Sequence, residues 1–221
     1  MAHSNTIEDY LKAIYHLSES SDGKVSTTAL ASYLDIKSPT VSDMLGKLQQ
    51  KKLITYKKYY GVSLTSGGEQ VAINIIRKHR IWEVFLHEKL AFGWEEVHEI
   101  AEQLEHIESV ELTNRLEEFL GFPKFDPHGD PIPDQNGKIQ ARKAVCLLKD
   151  LSIGETAIIV GVNDSSSDFL KYLKQQALEL GQTLLVKDKF EFDDSLKVQL
   201  NEKQELHLTK FVSENITVQK S

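Results

Sequence analysis

The spacing of hydrophobic positions changes several times along the chain, and each change marks a new element. Ile7, Leu11, Ile14 and Leu17 recur at helical spacing. Thr6 stands ahead of them as an N-cap, Asp9 falls in the first turn, where a carboxylate suits the exposed N–H groups, and Ser21-Asp22-Gly23 ends the helix. Val25 through Leu34 predicts a short second helix with Ala29, Leu30, Tyr33 and Leu34 as its apolar positions. After a tight Asp35-Ile36-Lys37 connection, Ser38 caps a third helix with Pro39 at its first position and Val41, Leu45 and Leu48 as its buried stripe. Leu53–Lys57 and Val62–Thr65 alternate apolar and polar residues around Tyr60-Gly61, which reads as a β-hairpin. Thr65-Ser66-Gly67-Gly68 breaks that pattern, and two long helices follow over Glu69–Leu90 and Trp94–Leu120, the second closed by Gly121 as a C′ residue.

Residues 121–143 carry Pro123, Pro127, Pro131 and Pro133 and the turn dipeptide Asn136-Gly137, the composition of a linker. From Ala144 the pattern turns to short strands at Ala157–Val162, Thr183–Val186, Leu196–Leu200 and Leu206–Val212, with one helix on Phe169, Leu170, Leu173 and Leu178. The expected fold is mainly α with a small β part. A winged helix-turn-helix occupies 1–68, a helical dimerisation domain 69–121, a proline-rich linker 122–143 and a small β domain 144–221.

Composition narrows the function. The net charge of −7 is unevenly spread: Lys37, Lys47, Lys51, Lys52, Lys57 and Lys58 stand between residues 37 and 58 against Asp43 as the one acid, while the acidic surplus lies in Glu95–Glu118 and the C-terminal third. A basic segment suits phosphate contacts and an acidic remainder suits cation capture. The longest apolar runs, such as Thr156–Val162, are too short to span a bilayer, so no membrane association is expected. No basic-then-apolar segment opens the chain at Met1-Ala2-His3-Ser4-Asn5, so no secretory leader is expected. Cys146 is the single cysteine, which excludes an intrachain disulfide and thiolate zinc clusters and fits a cytoplasmic protein.

Two sets of residues carry candidate chemistry. In a helix-turn-helix the second helix enters the major groove, and here it opens with Ser38, Pro39, Thr40, Ser42 and Asp43 and carries Lys47 further on. Ser and Thr hydroxyls reach phosphates or base edges, and Lys37 and Lys47 reach the backbone. Thr27 and Thr28 start the preceding helix, and Lys57, Lys58 and Tyr59 decorate the wing. Arginine, the usual bidentate base reader, is absent from the recognition helix, so DNA shape and dimer spacing contribute to specificity. The second set is His79 and Glu83, four apart on one predicted helix, and His98, Glu102, Glu105 and His106 on the flank of the next. Carboxylates on one stripe repel unless a cation lies between them, and carboxylate with imidazole suits divalent first-row ions, manganese(II) or iron(II) ahead of zinc. Ile73, Ile76, Trp82, Phe85, Leu86, Leu104 and Leu116 supply apolar surface for a two-fold interface. A di-metal enzyme is the weaker alternative, because Glu95 and His98 form only one of the two Glu-x-x-His pairs such a bundle needs. A winged-helix regulator sensing a non-metal ligand is a further alternative.

Thr6-Ile7-Glu8-Asp9-Tyr10-Leu11, Ser38-Pro39-Thr40-Val41-Ser42, Arg77-Lys78-His79-Arg80, Glu102-Gln103-Leu104-Glu105-His106 and Asp126-Pro127-His128-Gly129-Asp130-Pro131-Ile132-Pro133, in this order, resemble the metal-dependent repressors typified by the diphtheria toxin and manganese transport regulators. The resemblance covers nearly the whole chain. It implies a homodimer that binds palindromic operators in double-stranded DNA, and a C-terminal small β-barrel of the ferrous-transport-associated type. It also implies two metal sites per chain: a switching site from Asp9, Glu102, Glu105 and His106, and an ancillary site from His79, Glu83 and His98. Carboxylates at Asp9 and Glu102 side with the manganese-sensing type; Fe2+ is the alternative to Mn2+. Asp126 and His128 are extra candidate ligands, and Asp164 or Asp168 is a candidate oxygen donor from the C-terminal domain. Lys12 departs from the short manganese regulators, which carry a glutamate there.

Overall fold

The computed structural model describes residues 4–19, 23–57, 60–140, 142, 144–201 and 203–220. They form two compact units. The first is built on the chain up to His79 with Glu102–Arg115 and Pro133–Lys138, the second on Arg80–Ala101, Leu116–Ile132 and the chain from Ile139. Among the described residues no helix is long and apolar enough to cross a membrane.

The first unit opens with α1 (Asn5–Glu19), which buries Ile7, Tyr10, Leu11 and Ile14. The Ser4 carbonyl accepts the N–H groups of Ile7 and Glu8 at 2.8 and 3.2 Å, so the helix starts ahead of Thr6, which is not its cap. Of the expected stop, Ser21 and Asp22 lie outside the described residues. Val25 is not helical. It exchanges two 2.9 Å backbone hydrogen bonds with Val62, and α2 (Thr27–Tyr33) starts only after Ser26, whose hydroxyl accepts from Ala29 N. α3 (Ser38–Gln50) has Lys37 rather than Ser38 at its N-cap, with Pro39 in the first turn. Strands β1 (Ile54–Lys57) and β2 (Gly61–Leu64) pair antiparallel from Ile54↔Leu64 to Lys57↔Gly61 as the wing. The tip residues Lys58 and Tyr59 lie outside the described residues. Leu11, Ile14, Leu30, Val41, Leu45, Leu48, Ile54 and Val62 form the core beneath these elements, each such side chain stabilising the fold by roughly 1.5–3 kcal/mol.

The glycine pair expected to break the chain instead lies inside α4 (Ser66–Leu90). Thr65 Oγ1 accepts from Gly68 N at 3.1 Å, and a Cβ on Gly68 would stand 1.9 Å from the Leu53 carbonyl oxygen. Glycine is there so that the helix can begin against the end of the wing. The single helix expected over Trp94–Leu120 is two, α5 (Val97–Leu104) and α6 (Val110–Phe119). Ser109 Oγ accepts from Leu112 N and so starts α6 afresh. Gly121, at φ +75°, closes α6 as expected.

In the second unit residues 122–132 of the proline-rich segment form an ordered loop. Phe125 bridges Pro131, Asp126 Oδ1 accepts from His128 N and Asp130 N, and the His128 carbonyl accepts from Val162 N at 3.0 Å. The chain continues through β3 (Val145–Leu147), β4 (Thr156–Val162), α7 (Ser167–Gln175), β5 (Thr183–Phe190), β6 (Ser195–Leu200), β7 (Gln204–Leu208), α8 (Lys210–Asn215) and β8 (Ile216–Lys220). The six strands pair antiparallel in the order β3-β8-β4-β5-β6-β7. The expected Leu206–Val212 strand stops at Leu208, because Thr209 caps α8 through Val212 N. The core gathers Leu148, Ile159, Leu170, Leu173, Val186, Val198, Ile216 and Val218, with Trp94 among them.

Candidate metal centre

In the first unit α1 carries the neighbours Glu8 and Asp9 and, one turn on, Lys12, and all three belong to one cluster with His79 of α4, Glu102 of α5, and Glu105 and His106. Glu105 and His106 lie in the turn after α5, not on a continuing helix flank as the sequence spacing predicts. Helix termination is what swings them toward α1. His106 has both ring nitrogens committed: Nε2 stands 3.1 Å from Asp9 Oδ1 and Nδ1 2.8 Å from Glu8 Oε2. Glu105 is fully buried. Its Oε2 lies 2.7 Å from Lys12 Nζ and 2.6 Å from His79 Nδ1, while its Oε1 has no hydrogen-bond partner.

Ligand atoms of Asp9, Glu105 and His106 lie within 4.8 Å of one another, as do those of His79, Glu102 and Glu105. The predicted switching set is therefore brought together except for Glu102, which falls in the adjoining group and is held by Lys12 at 2.6 Å. Burial raises the Asp9 carboxyl above its ordinary value, with Glu105 and Glu102 adding to the rise against His106 and Lys12. Burial works against the Lys12 charge, yet Glu105 and Glu102 outweigh it and hold the ammonium above its ordinary value. Two carboxylates, one of them with an orphaned buried oxygen, and an imidazole are an oxygen-rich donor set that suits a hard divalent cation.

The second unit holds a second cluster. Ligand atoms of Glu83, Asp126 and His128 lie within 4.8 Å of one another, and all three residues are at most 5% exposed. His98 Nδ1 is 3.5 Å and His128 Nδ1 3.6 Å from Glu83 Oε1, and His128 Nε2 is 2.7 Å from the Trp94 carbonyl oxygen. Burial pushes the Asp126 carboxyl well up, helped by Glu83 and Asp130 and opposed by Arg80. Arg80 Nε is 3.6 Å from Asp126, and its Nη1 donates to the Pro131 carbonyl at 2.6 Å. Glu83 and His98 of the expected ancillary trio face each other within the second unit, and His79, one turn before Glu83 on the same helix α4, faces Glu105 within the first. Asp164 Oδ1 accepts from Ser166 N and Asp168 is exposed in the first turn of α7; neither joins a metal-holding group among the described residues.

Three residues escaped the sequence reading. Glu8 orients His106, Arg80 anchors Asp126, and Lys12 was read only as a departure from a pattern. A carboxylate next to Asp9 on the same helix was the one available signal for Glu8.

On the DNA-reading side, Thr28, Lys37, Ser38, Pro39, Thr40, Asp43, Lys47 and Lys57 are exposed and Thr27 and Ser42 half-buried. They lie at the start of α2, along α3 and at the end of β1, and α3 buries Val41, Leu45 and Leu48. The Ser42 hydroxyl donates to the Ser38 carbonyl at 3.1 Å.

Residues 3–62 match the family model for the iron-dependent repressor N-terminal DNA-binding domain, 65–134 that for the iron-dependent repressor metal-binding and dimerisation domain, and 146–220 that for the FeoA domain. A solved manganese-dependent transcriptional repressor in complex with manganese superposes with a TM-score of 0.87 at 32% identity, over 97% of this chain and 100% of that one. The chain belongs to the iron-dependent repressor family. Within that family, the iron-dependent repressor IdeR of Mycobacterium tuberculosis is 36% identical over 130 residues, 58% of this chain and 56% of that protein. The matched segment thus spans little more than half of that relative's length. The HTH-type transcriptional regulator MntR of Oceanobacillus iheyensis is 29% identical over 152 residues, 69% of this chain and 96% of that protein.

Proposed function

We propose that this protein is a dimeric, divalent-metal-dependent repressor that binds palindromic operators, responds to manganese(II) or iron(II), and controls metal-ion uptake. The observation that carries this reading is the meeting of Asp9, from the first helix of the DNA-binding fold, with Glu105 and His106 around a buried carboxylate oxygen that has no partner. Asp9, Glu105, His106 and Glu102 would hold the ion, which supplies positive charge between carboxylates that otherwise repel. The residues do the rest. Glu8 fixes the His106 ring so that Nε2 faces Asp9, and α1 is tied to the turn after α5. In a dimer, the orientation of α1 sets the separation of two α3 helices, which must match successive major-groove faces. A hundredfold preference of the ion for the DNA-competent arrangement is worth roughly 2.7 kcal/mol, and DNA and metal must raise each other's affinity equally.

Manganese(II) is favoured over softer ions because every donor gathered in the first unit is oxygen or nitrogen, and a manganese-bound repressor is among the solved relatives. Glu83, Asp126 and His128, with His98 beside Glu83, are proposed as a second site, giving two ions per chain. DNA contact is assigned to Thr27, Thr28, Lys37, Ser38, Pro39, Thr40, Ser42, Asp43, Lys47 and Lys57. Dimerisation is assigned to the Trp82, Phe85 and Phe119 face within 65–134, where the family model names a dimerisation domain.

Fluorescence anisotropy on a palindromic duplex, with and without manganese(II), tests the reading. Manganese should tighten binding at least tenfold, and Asp9→Ala should abolish that gain. Equal binding by chelator-treated and manganese-loaded protein sinks the switch.

A further inference from the structure

Lys12 is 8% exposed, and its ammonium stands 2.6 Å from Glu102 Oε1, 2.7 Å from Glu105 Oε2 and 3.3 Å from His79 Nδ1. A cation carried by α1 is thus seated between two of the side chains proposed to hold the ion, Glu102 and Glu105, with His79 beside it. Buried carboxylates that lack a counter-charge destabilise a fold, so this ammonium stabilises the arrangement when no ion is present. It also takes one oxygen each of Glu102 and Glu105, and the second Glu105 oxygen, Oε1, has no hydrogen-bond partner. A divalent ion and an ammonium on the same two carboxylates repel each other.

We propose that Lys12 is a tethered counter-cation: it holds α1 against Glu102 and Glu105 in the metal-free protein, and the incoming ion must displace it, which sets the metal concentration at which the switch responds. The inference rests on the metal-dependent reading above and deepens it. On this proposal the ammonium keeps α1 docked when no ion is bound, with Asp9 beside His106. It also makes the affinity of the site lower than its donor set alone would provide. Arginine at this position keeps the charge, whereas methionine or glutamine removes it and leaves the carboxylates to the ion alone.

The test is calorimetric titration of the full chain with manganese(II), comparing the parent with Lys12→Met, Lys12→Gln and Lys12→Arg, with circular dichroism confirming the fold of each. The neutral variants should bind manganese at least tenfold more tightly, about 1.4 kcal/mol, and Lys12→Arg should stay within threefold of the parent. The metal-free melting temperature of the neutral variants should fall more than the manganese-saturated one; a lysine with only a structural role would lower both alike. Reductive methylation of the parent protein, read by mass spectrometry, needs no variant: Lys12 should react at least threefold faster once manganese is added. Native neutral variants with unchanged or weaker manganese affinity, or a Lys12 labelling rate indifferent to manganese, overturn the tethered-cation proposal while leaving the metal reading intact. No binding heat in the parent overturns both.

Discussion

His106 shows how a single side chain is prepared for its task. Its Nδ1 is held by Glu8 and its Nε2 points at Asp9, so the ring orientation is set by two carboxylates from one helix. A carboxylate behind a ligating imidazole fixes its tautomer and raises its basicity, and losing such a partner typically weakens metal binding ten- to hundredfold. Glu8→Gln keeps the shape and removes the charge. We expect manganese affinity, measured by calorimetry, to fall about tenfold with an unchanged circular dichroism spectrum; an unchanged affinity would show that Glu8 is only a packing group.

Elements add constraints that single residues do not. The Asp126–Asp130 loop lies so close to β4 that a Cβ on Gly129, at φ +94°, would stand 2.2 Å from the Val160 carbonyl oxygen. Gly129→Ala therefore needs both a strained backbone and a displaced strand. It should destabilise the second unit by about 2–4 kcal/mol in urea unfolding; a loss under 1 kcal/mol would show that the loop moves off β4 easily. The turn before α5 is tied to α7 by Lys174 Nζ on Glu95 Oε1 at 2.5 Å. Burial alone would raise the Glu95 carboxyl, but the Lys174 hydrogen bond and charge outweigh it and hold the group below its ordinary value. A depressed folded value means that the unfolded chain binds more protons as pH falls. The stability this pair contributes is thus present above the ordinary carboxylate range and is lost as pH drops through the folded value. Melting curves of Glu95→Gln between neutral and acid pH should be flatter than those of the parent on the acid side.

At the scale of the whole molecule, the second unit presents an aromatic face. Trp82 and Phe85 meet edge to face at 5.8 Å, Phe119 lies 6.5 Å from Phe85, and Phe119 is 66% exposed. Several of the residues that sequence alone offers for an interface are instead internal: Ile76, Leu86 and Leu116 are buried within one chain. Half-buried Trp82 and Phe85 with the exposed Phe119 ring, in a segment that matches the metal-binding and dimerisation family model, are the kind of surface a two-fold contact buries. Phe119→Asp should sediment as a monomer at concentrations where the parent is a dimer, and should lose binding to a two-half-site duplex while keeping its manganese sites. A dimeric Phe119→Asp protein would move the interface elsewhere.

What the sequence determined by itself was whatever a few neighbouring residues decide. The 3.6-residue stripes of α1 and α3, the two-residue alternation of the wing and the Gly121 stop are local, and they stand as read. The donor chemistry of Asp9, Glu105 and His106 is equally local, since it belongs to the residue. Tertiary structure alone decided what depends on partners far along the chain. Val25 leaves its helix because Val62 completes its hydrogen bonds; Gly68 lies inside α4 at a point where the Leu53 carbonyl leaves no room for a side chain. The 94–120 helix divides at Glu105, and that break brings Glu105 and His106 to α1. Lys12 takes its place between Glu102 and Glu105 for the same reason: periodicity reports which face a residue occupies, while a charge finds its counter-charge only when packing brings together segments some 90 residues apart.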